Sequence, residues 1–421
     1  MHVLRLRDYR LYLGGRFFAA MSQQMLTVAI GWYLYDLTGD PMTLGYAGLA
    51  VFVPIFLFTL PGGDVSDRYD RRWILALAHM VQAVCSAALV FLAAARTVDP
   101  WPFYAVLALS GTARAFSAPA VQSFAPFLVP RAQFAESVAW SASANRVATI
   151  IGPALGGLIY LLGAQAAFAA CLVQSLLVSA AMMAIRTRVA PAIEKGSTAF
   201  SRAVAGLRYV RRQPVVFGAI TLDLFAVMLG SITALLPVYA RDILDVGPGG
   251  LGAMRSSLAL GAVVTALLLA GLPAQRLPHA GRAMFIGVAV FGAAVLLFGL
   301  STSFALSVCA LAVMGAADMI SVWVRSTIVQ LATPDDMRGR VSAVHMLFVG
   351  ASNEFGDFRA GAVAAWIGAL PAVLAGGVCT LLVTGLWWRY FPELRNIERL
   401  AEVTASVQPP VSIPGEGAKQ P

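Results

Sequence analysis

Ten ionisable residues stand inside long apolar stretches of this chain, where a charge is costly and most often serves a function. They are Arg16, Arg114, Arg146, Asp223, Arg255, Asp318, Arg325, Glu354, Asp357 and Arg359. Six arginines against four carboxylates favour an anionic ligand. A carboxylate whose surroundings change can exchange a proton, so Asp223, Glu354 and Asp318 are the candidates for proton coupling. A static ion pair that braces helices explains any one of them equally well, and for Asp357 and Arg359 we expect pairing at the membrane interface.

Other kinds of chemistry lack the residues they need. The four histidines are scattered, and the four cysteines lie in apolar runs without a Cys-x-x-Cys pair, so neither set has the spacing of a metal site. No glycine-rich phosphate loop of the P-loop type is present, which argues against direct ATP drive. We predict no catalytic residue, no metal and no cofactor, which leaves an integral-membrane enzyme as a remote alternative.

The elements that carry these charges are membrane spans. The chain has 421 residues, of which 59% are hydrophobic and 12% are charged, about half the roughly 25% charge of a soluble domain. Twelve apolar stretches have the length of a membrane span. They fall near 12–36, 43–62, 73–96, 101–126, 138–163, 166–186, 215–239, 250–272, 282–300, 303–331, 341–366 and 369–391. The sequence therefore predicts an all-α integral membrane protein with twelve transmembrane helices.

The basic residues predict the orientation of these helices. Of the 30 lysines and arginines, 22 fall in one set of loops and 2 in the opposite set. Because positive charge is retained on the cytoplasmic side, we predict that both termini are cytoplasmic. The first apolar stretch is too long for a removable signal peptide. The formal charge of +9 is dispersed over the loops and forms no basic patch, which argues against nucleic-acid binding.

The spans divide into two groups of six. We predict an N-terminal half over 1–187, a cytoplasmic linker over 188–213, a C-terminal half over 214–395 and a disordered tail over 396–421. In the linker, Phe200, Val204 and Leu207 recur at helical spacing beside Arg208 and other arginines, which predicts an amphipathic helix on the inner leaflet.

Two features recur at about half the chain length. An arginine turn follows span 2 at Arg68 and span 8 at Arg276, and a proline opens the connection after span 4 at Pro130 and after span 10 at Pro334. Two similar halves with a site between them are what alternating access requires, since rocking one half against the other exposes the site to each side in turn.

The turn between spans 2 and 3 carries the most informative motif. Gly63-Asp64-Val65-Ser66-Asp67-Arg68-Tyr69-Asp70-Arg71-Arg72 resembles the G-x-x-x-D-R-x-G-R-R loop of the major facilitator superfamily, with Asp70 where glycine is usual. We expect Gly63 to permit close helix approach, Asp67 to face a helix N-terminus, and Arg68, Arg71 and Arg72 to pair across the cytoplasmic seam between the halves. A plain positive-inside loop would explain the arginines but not the acidic residue among them.

Span 5 contains a second motif. Gly152-Pro153-Ala154-Leu155-Gly156-Gly157 resembles the G-P-x-x-G-G core of the antiporter motif of the same superfamily. Proline bends a helix, and glycines let another helix approach closely enough to seal the cytoplasmic path. Generic small-residue packing is the competing interpretation, and Ala139 and Ala148 stand where the motif usually has glycine.

These motifs and the twelve spans resemble the major facilitator superfamily over about residues 8–395. Shorter segments, such as Leu222-Asp223-Leu224-Phe225 and Gly247-Pro248-Gly249-Gly250, resemble the bacterial group that includes the enterobactin siderophore exporter. Arg114 falls where that superfamily has a span 4 arginine associated with proton coupling.

The resemblance implies proton-coupled efflux of a small amphipathic compound across the bacterial inner membrane by a monomer, with a siderophore, drug or metabolite as substrate. An uptake transporter of the same fold, or less readily a transporter-like membrane sensor, stays open as an alternative.

Overall fold

The computed structural model describes residues 3–188, 199–271 and 279–398, and in these ranges helices joined by short turns make up the chain. The first group of helices is α1 Arg7–Thr38, α2 Pro41–Arg68, α3 Arg71–Ala94, α4 Trp101–Leu128, α5 Phe134–Tyr160 and α6 Ala164–Ala184. The linker helix is α7, Ala199–Arg212. The second group is α8 Pro214–Gly230, α9 Leu236–Val238, α10 Gly247–Ala270, α11 Ala280–Leu300, α12 Phe304–Leu331, α13 Asp335–Ile367, α14 Ala369–Tyr390 and α15 Pro392–Arg395.

Eight of the described helices are long and apolar enough to cross a membrane, with Pro214–Ile243 counted as one. The prediction of an all-α membrane protein is therefore confirmed. Helices α1, α4, α5 and α13 occupy the other four predicted spans and hold ionisable residues in their apolar stretches, namely Arg16, Arg114, Arg146, Glu354, Asp357 and Arg359. The count of twelve spans stays a prediction.

Local sequence signals account for the helix ends. Gly39 ends α1 in the left-handed conformation with φ of 65°, which a glycine adopts without strain. The carboxylates of Asp40 and Asp70 accept hydrogen bonds from the backbone N–H of the second residue of α2 and of α3. At position 70, where the loop motif usually has glycine, the aspartate thus stabilises the start of α3.

The predicted span at 215–239 is not one continuous helix. Helix α8 ends at Gly230, a 3-10 turn covers Thr233–Leu235, and a π turn covers Tyr239–Ile243. Pro237 lacks the N–H that a continuous helix would need there. The Arg359 guanidinium takes up two of the freed carbonyl groups, since it donates to the carbonyl oxygens of Met228 and Ser231 at 2.9 and 3.3 Å.

Helix packing repeats between the two groups. Helix α1 packs on α5 and α6, α2 on α4, and α3 on α4 and α6, while α8 packs on α13 and α14, α10 on α12, and α11 on α12 and α14. The two groups meet where α5 contacts α10 and where α2 contacts α13. The order of contacts along the second group therefore reproduces that of the first.

The helices alternate in direction, so their ends form two layers. One layer holds Arg68, Arg71, Arg131 and Arg340 and is named here the arginine-rich end. The other layer holds Thr38, Tyr160 and Tyr239, and there one hydrophobic cluster includes Val28, Tyr35 and Leu44 of the first group with Leu236 and Met254 of the second. We name it the sealed end. The remaining clusters of buried apolar residues each lie within one group.

Helix α7 lies within the predicted linker, and the position of that linker on the inner leaflet stays a prediction. Lys195, Arg276, Arg399 and Lys419 lie outside the described residues, and so does nearly all of the predicted disordered tail. The repeat between Arg68 and Arg276 therefore stays a sequence observation.

Candidate functional site

A cavity of about 590 Å³ lies between the two groups of helices. Its volume falls within the range of roughly 300–1,000 Å³ for small-molecule sites. Most of the lining comes from α1, α2, α3 and α4, and the second group contributes Ala234, Pro237, Arg255, Glu354 and Asp357. The lining contains no aromatic side chain among the described residues apart from the His79 ring, and it mixes aliphatic groups with charged and amide groups.

One wall of this cavity is a polar face of α4. Four residues of this helix line the cavity, at spacings of three, four and one residues, so they share one side of the helix. They are Arg114, Ser117, Val121 and Gln122. The Tyr12 hydroxyl donates to the carbonyl oxygen of Val121 at 2.7 Å and so fixes α1 against this face. The Arg16 guanidinium carbon lies 5.9 Å from the centre of the Tyr12 ring. Two of the predicted arginines, on different helices, therefore face the same space.

Glu354 lies at the boundary between the two groups. Its Oε2 atom is 3.4 Å from the point that a Cβ on Gly48 of α2 would occupy. Arg114 and Arg255 are within electrostatic reach of its carboxylate, as is Asp357. Among the described residues no lysine or arginine nitrogen comes within 4.0 Å of that carboxylate, so Glu354 forms no salt bridge there. It is a half-buried carboxylate that interacts electrostatically with two arginines, one from each group.

Asp357 also lines the cavity, contrary to the expectation for this residue. Its carboxylate accepts hydrogen bonds from the hydroxyl of Ser231 and from that of Thr233, the latter at 2.6 Å. The expected pairing of Asp357 with Arg359 at the interface is wrong, because Arg359 binds backbone carbonyls of α8 and of the residue that follows it. The break after α8 explains the error, since a continuous helix would not turn these hydroxyls toward Asp357.

A second cavity of about 140 Å³ lies inside the second group. Asp223, Asp318 and Arg325 line it. Asp223 and Arg325 form an ion pair, and their side chains are 8% and 3% exposed. The predicted candidates are thus divided: Arg16, Arg114, Arg255 and Glu354 line the large cavity, and Asp223, Asp318 and Arg325 line the small one. Arg146 is exposed on α5 and lines neither.

The motif after α2 has a different geometry from the one expected. A Cβ on Gly63 would meet nothing within 4 Å, whereas one on Gly62 would lie 2.6 Å from the carbonyl oxygen of Ala115. The glycine that permits close approach of α2 and α4 is therefore Gly62, and the expectation for Gly63 is wrong in this structure.

The arginines of this motif bind within the first group. The Arg71 guanidinium is buried, donates to Ser123 Oγ at 2.8 Å and lies 5.0 Å from the Phe127 ring centre. Arg72 donates to the carbonyl oxygen of Ile185 at 2.7 Å. Asp67 is 55% exposed and lies 3.9 Å from Arg71, while Arg68 is exposed. Within the described part of the chain, the expected pairing of these arginines across the seam between the halves is thus not present in this conformation.

The glycines of the α5 motif do permit close helix contact. A Cβ on Gly156 would lie 2.8 Å from Met25 Cα, and one on Gly152 would lie 2.7 Å from Gln24 Cβ, so both hold α5 against α1. Gly157 touches Pro248 of α10, and a Cβ on Gly252 would lie 2.5 Å from the carbonyl oxygen of Pro153. This contact between the groups is near the sealed end, not at the arginine-rich end where we expected the motif to act.

Polar contacts at the sealed end were not predicted. The Tyr35 hydroxyl donates to the Asp242 carboxylate, and Arg241 lies 3.3 Å from Asp36 and donates to the carbonyl oxygen of Tyr35 at 3.1 Å. These four residues join α1 to the π turn after α9. In sequence they mark only the ends of two spans, and their pairing becomes visible when the two groups are brought together.

Two groups of six long helices with the same packing, around a central cavity closed at one end, define a membrane transporter of the major facilitator type. The sequence profile described as transmembrane secretion effector matches residues 4–414. The chain belongs to this family of the major facilitator superfamily.

Curated relatives include the macrolide efflux protein A of Streptococcus pyogenes, 26% identical, with 80% of this chain and 84% of that protein aligned. The enterobactin exporter EntS of Escherichia coli K12 is 24% identical over 94% of this chain and 95% of its own. The crystal structure of a mutant of the nucleoside transporter NupG shares the fold, with a TM-score of 0.74 at 14% identity over 91% of this chain and all of that one.

Proposed function

We propose that this transporter exports a small amphipathic compound across the bacterial inner membrane in exchange for protons. The halves 1–187 and 214–395 rock about the central cavity, which opens to each side in turn. The observation that carries the proposal is the cavity itself, which lies between two similarly packed groups and is closed at one end by contacts of both. Both named relatives are efflux proteins, which favours export over uptake.

The excess of arginine in the loops supports a cytoplasmic position for the arginine-rich end and for both termini. In that orientation the conformation described here is closed toward the periplasm. The bond of Tyr35 to Asp242 and the ion pair of Arg241 with Asp36 join the two halves at the sealed end. This is the state in which an exporter loads its substrate from the cytoplasm.

Glu354 is the better candidate for the coupled proton, and three features support it over Asp223. Glu354 lines the cavity that would hold the substrate, whereas Asp223 lines the smaller cavity inside one half. Asp223 is held by Arg325, whereas Glu354 has no salt bridge among the described residues. Arg114 and Arg255 belong to different halves, so rocking changes the distance of at least one of them from the Glu354 carboxylate. A carboxylate in such a position changes its proton affinity between the two states.

The lining of the cavity constrains the transported compound. Arg16, Arg114 and Arg255 oppose two carboxylates there, which leaves an excess of positive charge that can accept an anionic group. Aliphatic residues such as Leu26 and Val51 provide apolar contact area. An amphipathic siderophore, drug or metabolite with an acidic group fits this combination. We further propose that the transporter acts as a monomer, with the substrate, protons and the surrounding lipid as its partners.

Transport in everted inner-membrane vesicles tests the proposal. A proton gradient is imposed, siderophores and amphipathic drugs are added singly, and compound-dependent proton release is recorded. We expect release with one compound class in wild-type vesicles. We expect none with empty-vector vesicles and a loss of about 100-fold or more in Glu354→Gln, the lower end of the range for a positioned proton-transfer group.

Asp223→Asn is the matched carboxylate variant. It should retain proton release in proportion to the amount of folded protein, which is measured by size-exclusion chromatography because breaking a buried ion pair destabilises a protein. Wild-type activity in Glu354→Gln would exclude that residue as the coupling site. Proton-driven accumulation of the compound in intact cells would establish uptake instead, and binding without movement of any compound would support the sensor alternative.

A further inference from the structure

Helix α7 has one face attached to the second half. A Cβ on Gly206 would lie 2.6 Å from the carbonyl oxygen of Arg340 at the start of α13. The Tyr209 hydroxyl donates to the carbonyl oxygen of Ala332 at 2.6 Å, just after the end of α12. Val210 is 2% exposed. These contacts fix both the position of the helix and its rotation about its own axis.

The opposite face of α7 is exposed and combines apolar and basic side chains. Val204, Leu207, Arg208 and Arg211 follow one another at spacings of three, one and three residues, so they lie on one side of the helix. Val204 and Leu207 are each 40% exposed. Arg208, Arg211 and the adjacent Arg212 are exposed and form no ion pair with the described part of the chain.

The position of α7 along the membrane normal follows from its neighbours. The helix ends at Arg212, and Pro214 begins a segment that is long and apolar enough to cross the membrane. Arg211 and Arg212 are therefore within a few residues of the hydrocarbon boundary. The hydrogen bond from Tyr209 to the carbonyl group of Ala332 places α7 beside the end of α12, a second helix that is long and apolar enough to cross the membrane. Both observations place α7 at the depth of the lipid headgroups.

We infer that the exposed face of α7, formed by Val204, Leu207, Arg208, Arg211 and Arg212, is a docking surface for anionic phospholipid headgroups. Arginine guanidinium groups bind phosphate oxygens in bidentate fashion, and the two aliphatic side chains enter the interfacial region between them. Helix α7 also contacts α2 of the first half and α13 of the second. Lipid bound there fixes the linker at the seam between the halves. The inference does not depend on which compound is transported.

Hydrogen–deuterium exchange of the full-length protein in nanodiscs tests this surface. Exchange of peptides from α7 is compared in phosphatidylcholine alone and in phosphatidylcholine with phosphatidylglycerol. We expect phosphatidylglycerol to slow exchange in the wild type and to have no effect in the triple variant Arg208→Gln, Arg211→Gln, Arg212→Gln. Each arginine removed should reduce the lipid-dependent protection by about fivefold, the effect of one basic residue near an anionic surface.

A second triple variant controls for net charge. Arg131, Arg282 and Arg389 are exposed on the same end of the molecule, outside α7. Replacing all three with glutamine should leave the lipid-dependent protection of α7 unchanged. Exchange in α11 and α12 reports whether each variant is folded. Protection of α7 that is the same in both lipids would overturn the inference. Lipid-dependent protection that survives in the first triple variant would also overturn it.

Discussion

The two ends of the molecule are stabilised by different kinds of contact. At the sealed end, backbone meets backbone through glycine, as at Gly157 with Pro248, and side chains of one half bind those of the other, as at Tyr35 with Asp242. At the arginine-rich end, the charged groups bind within one half, as Arg71 does with Ser123. The contacts of Gly157 and Tyr35 at the sealed end are therefore specific to the relative position of the two halves.

This difference indicates where the free energy of the conformational change resides. Rocking must break the contacts of the sealed end and form others at the arginine-rich end, while the contacts within each half persist. A substitution at the sealed end is thus expected to shift the population of states. A substitution at the arginine-rich end is expected to act on the state in which that end is closed.

The largest shift is expected from Gly157→Ala. The added methyl group would overlap the carbonyl of Pro248, and neither backbone can yield without separating α5 from α10. Overpacking of this kind costs about 1–3 kcal/mol, which favours opening of the sealed end by roughly 5-fold to 150-fold. The measurement is the distance between two spin labels at the sealed end, recorded by double electron–electron resonance. The labels are attached at Leu162→Cys and Thr302→Cys, with Cys309 replaced by serine.

Gly63→Ala is the matched control for Gly157→Ala. A Cβ at position 63 would meet nothing within 4 Å in this conformation, so the distances at the sealed end should stay those of the parent protein. An unchanged distance distribution in Gly157→Ala would show that the glycine contact does not hold the halves together.

A smaller shift is expected from Tyr35→Phe. This change removes the hydroxyl that donates to Asp242 and leaves the buried ring in place. Because Asp242 is about half exposed, the loss should be about 1.5 kcal/mol, the lower end of the range for a hydrogen bond to a charged group. The same pair of spin labels reports the shift. Tyr33→Phe is the control, since that hydroxyl binds none of the described residues, and equal shifts in both variants would contradict a role for the bond to Asp242.

A still smaller effect is expected for the ion pair between Arg241 and Asp36. These side chains are 37% and 55% exposed, and pairs of this kind contribute about 0.2–1 kcal/mol. A double-mutant cycle with Arg241→Gln and Asp36→Asn, measured through the population of the sealed state, should give a coupling energy in that range. The coupling should fall in about 0.5 M salt because exposed charges are screened. A coupling that is independent of salt would show that the pair is not acting through its charge.

The fold could be predicted largely from sequence because its signals are local. Apolar length located the helices to within a few residues, and α7 was visible from the spacing of Val204 and Leu207. The break after α8 was missed, because Ser231 and Thr233 are small enough to occur in a continuous helix. Their role depends on Asp357, which lies more than 120 residues further along the chain.

The site could be predicted only in part, for a related reason. The cost of a charge in the membrane identified Arg16, Arg114, Arg255 and Glu354. The same rule identified Asp223 and Arg325 equally well, although they pair inside one half. Hydropathy indicates which residues lie in the membrane. It contains no information about which residues of one half contact the other half. The contacts of Gly157 and of Tyr35 between the halves were out of reach for the same reason.

The smallest effect on this conformation is expected from Asp67→Asn. Asp67 is largely exposed and 3.9 Å from Arg71, whose guanidinium keeps its bond to Ser123 without it, so the sealed state should change by no more than about a few tenths of a kcal/mol. Asp67→Asn should nevertheless reduce transport if the loop pairs with the second half once the arginine-rich end closes.

Spin labels at Ala132→Cys and Gly339→Cys, one on each half at that end, would then show a reduced population of short distances. Normal transport in Asp67→Asn would exclude a gating role for this carboxylate, and a shift at the sealed end instead would mean that the two ends are coupled through the first half itself.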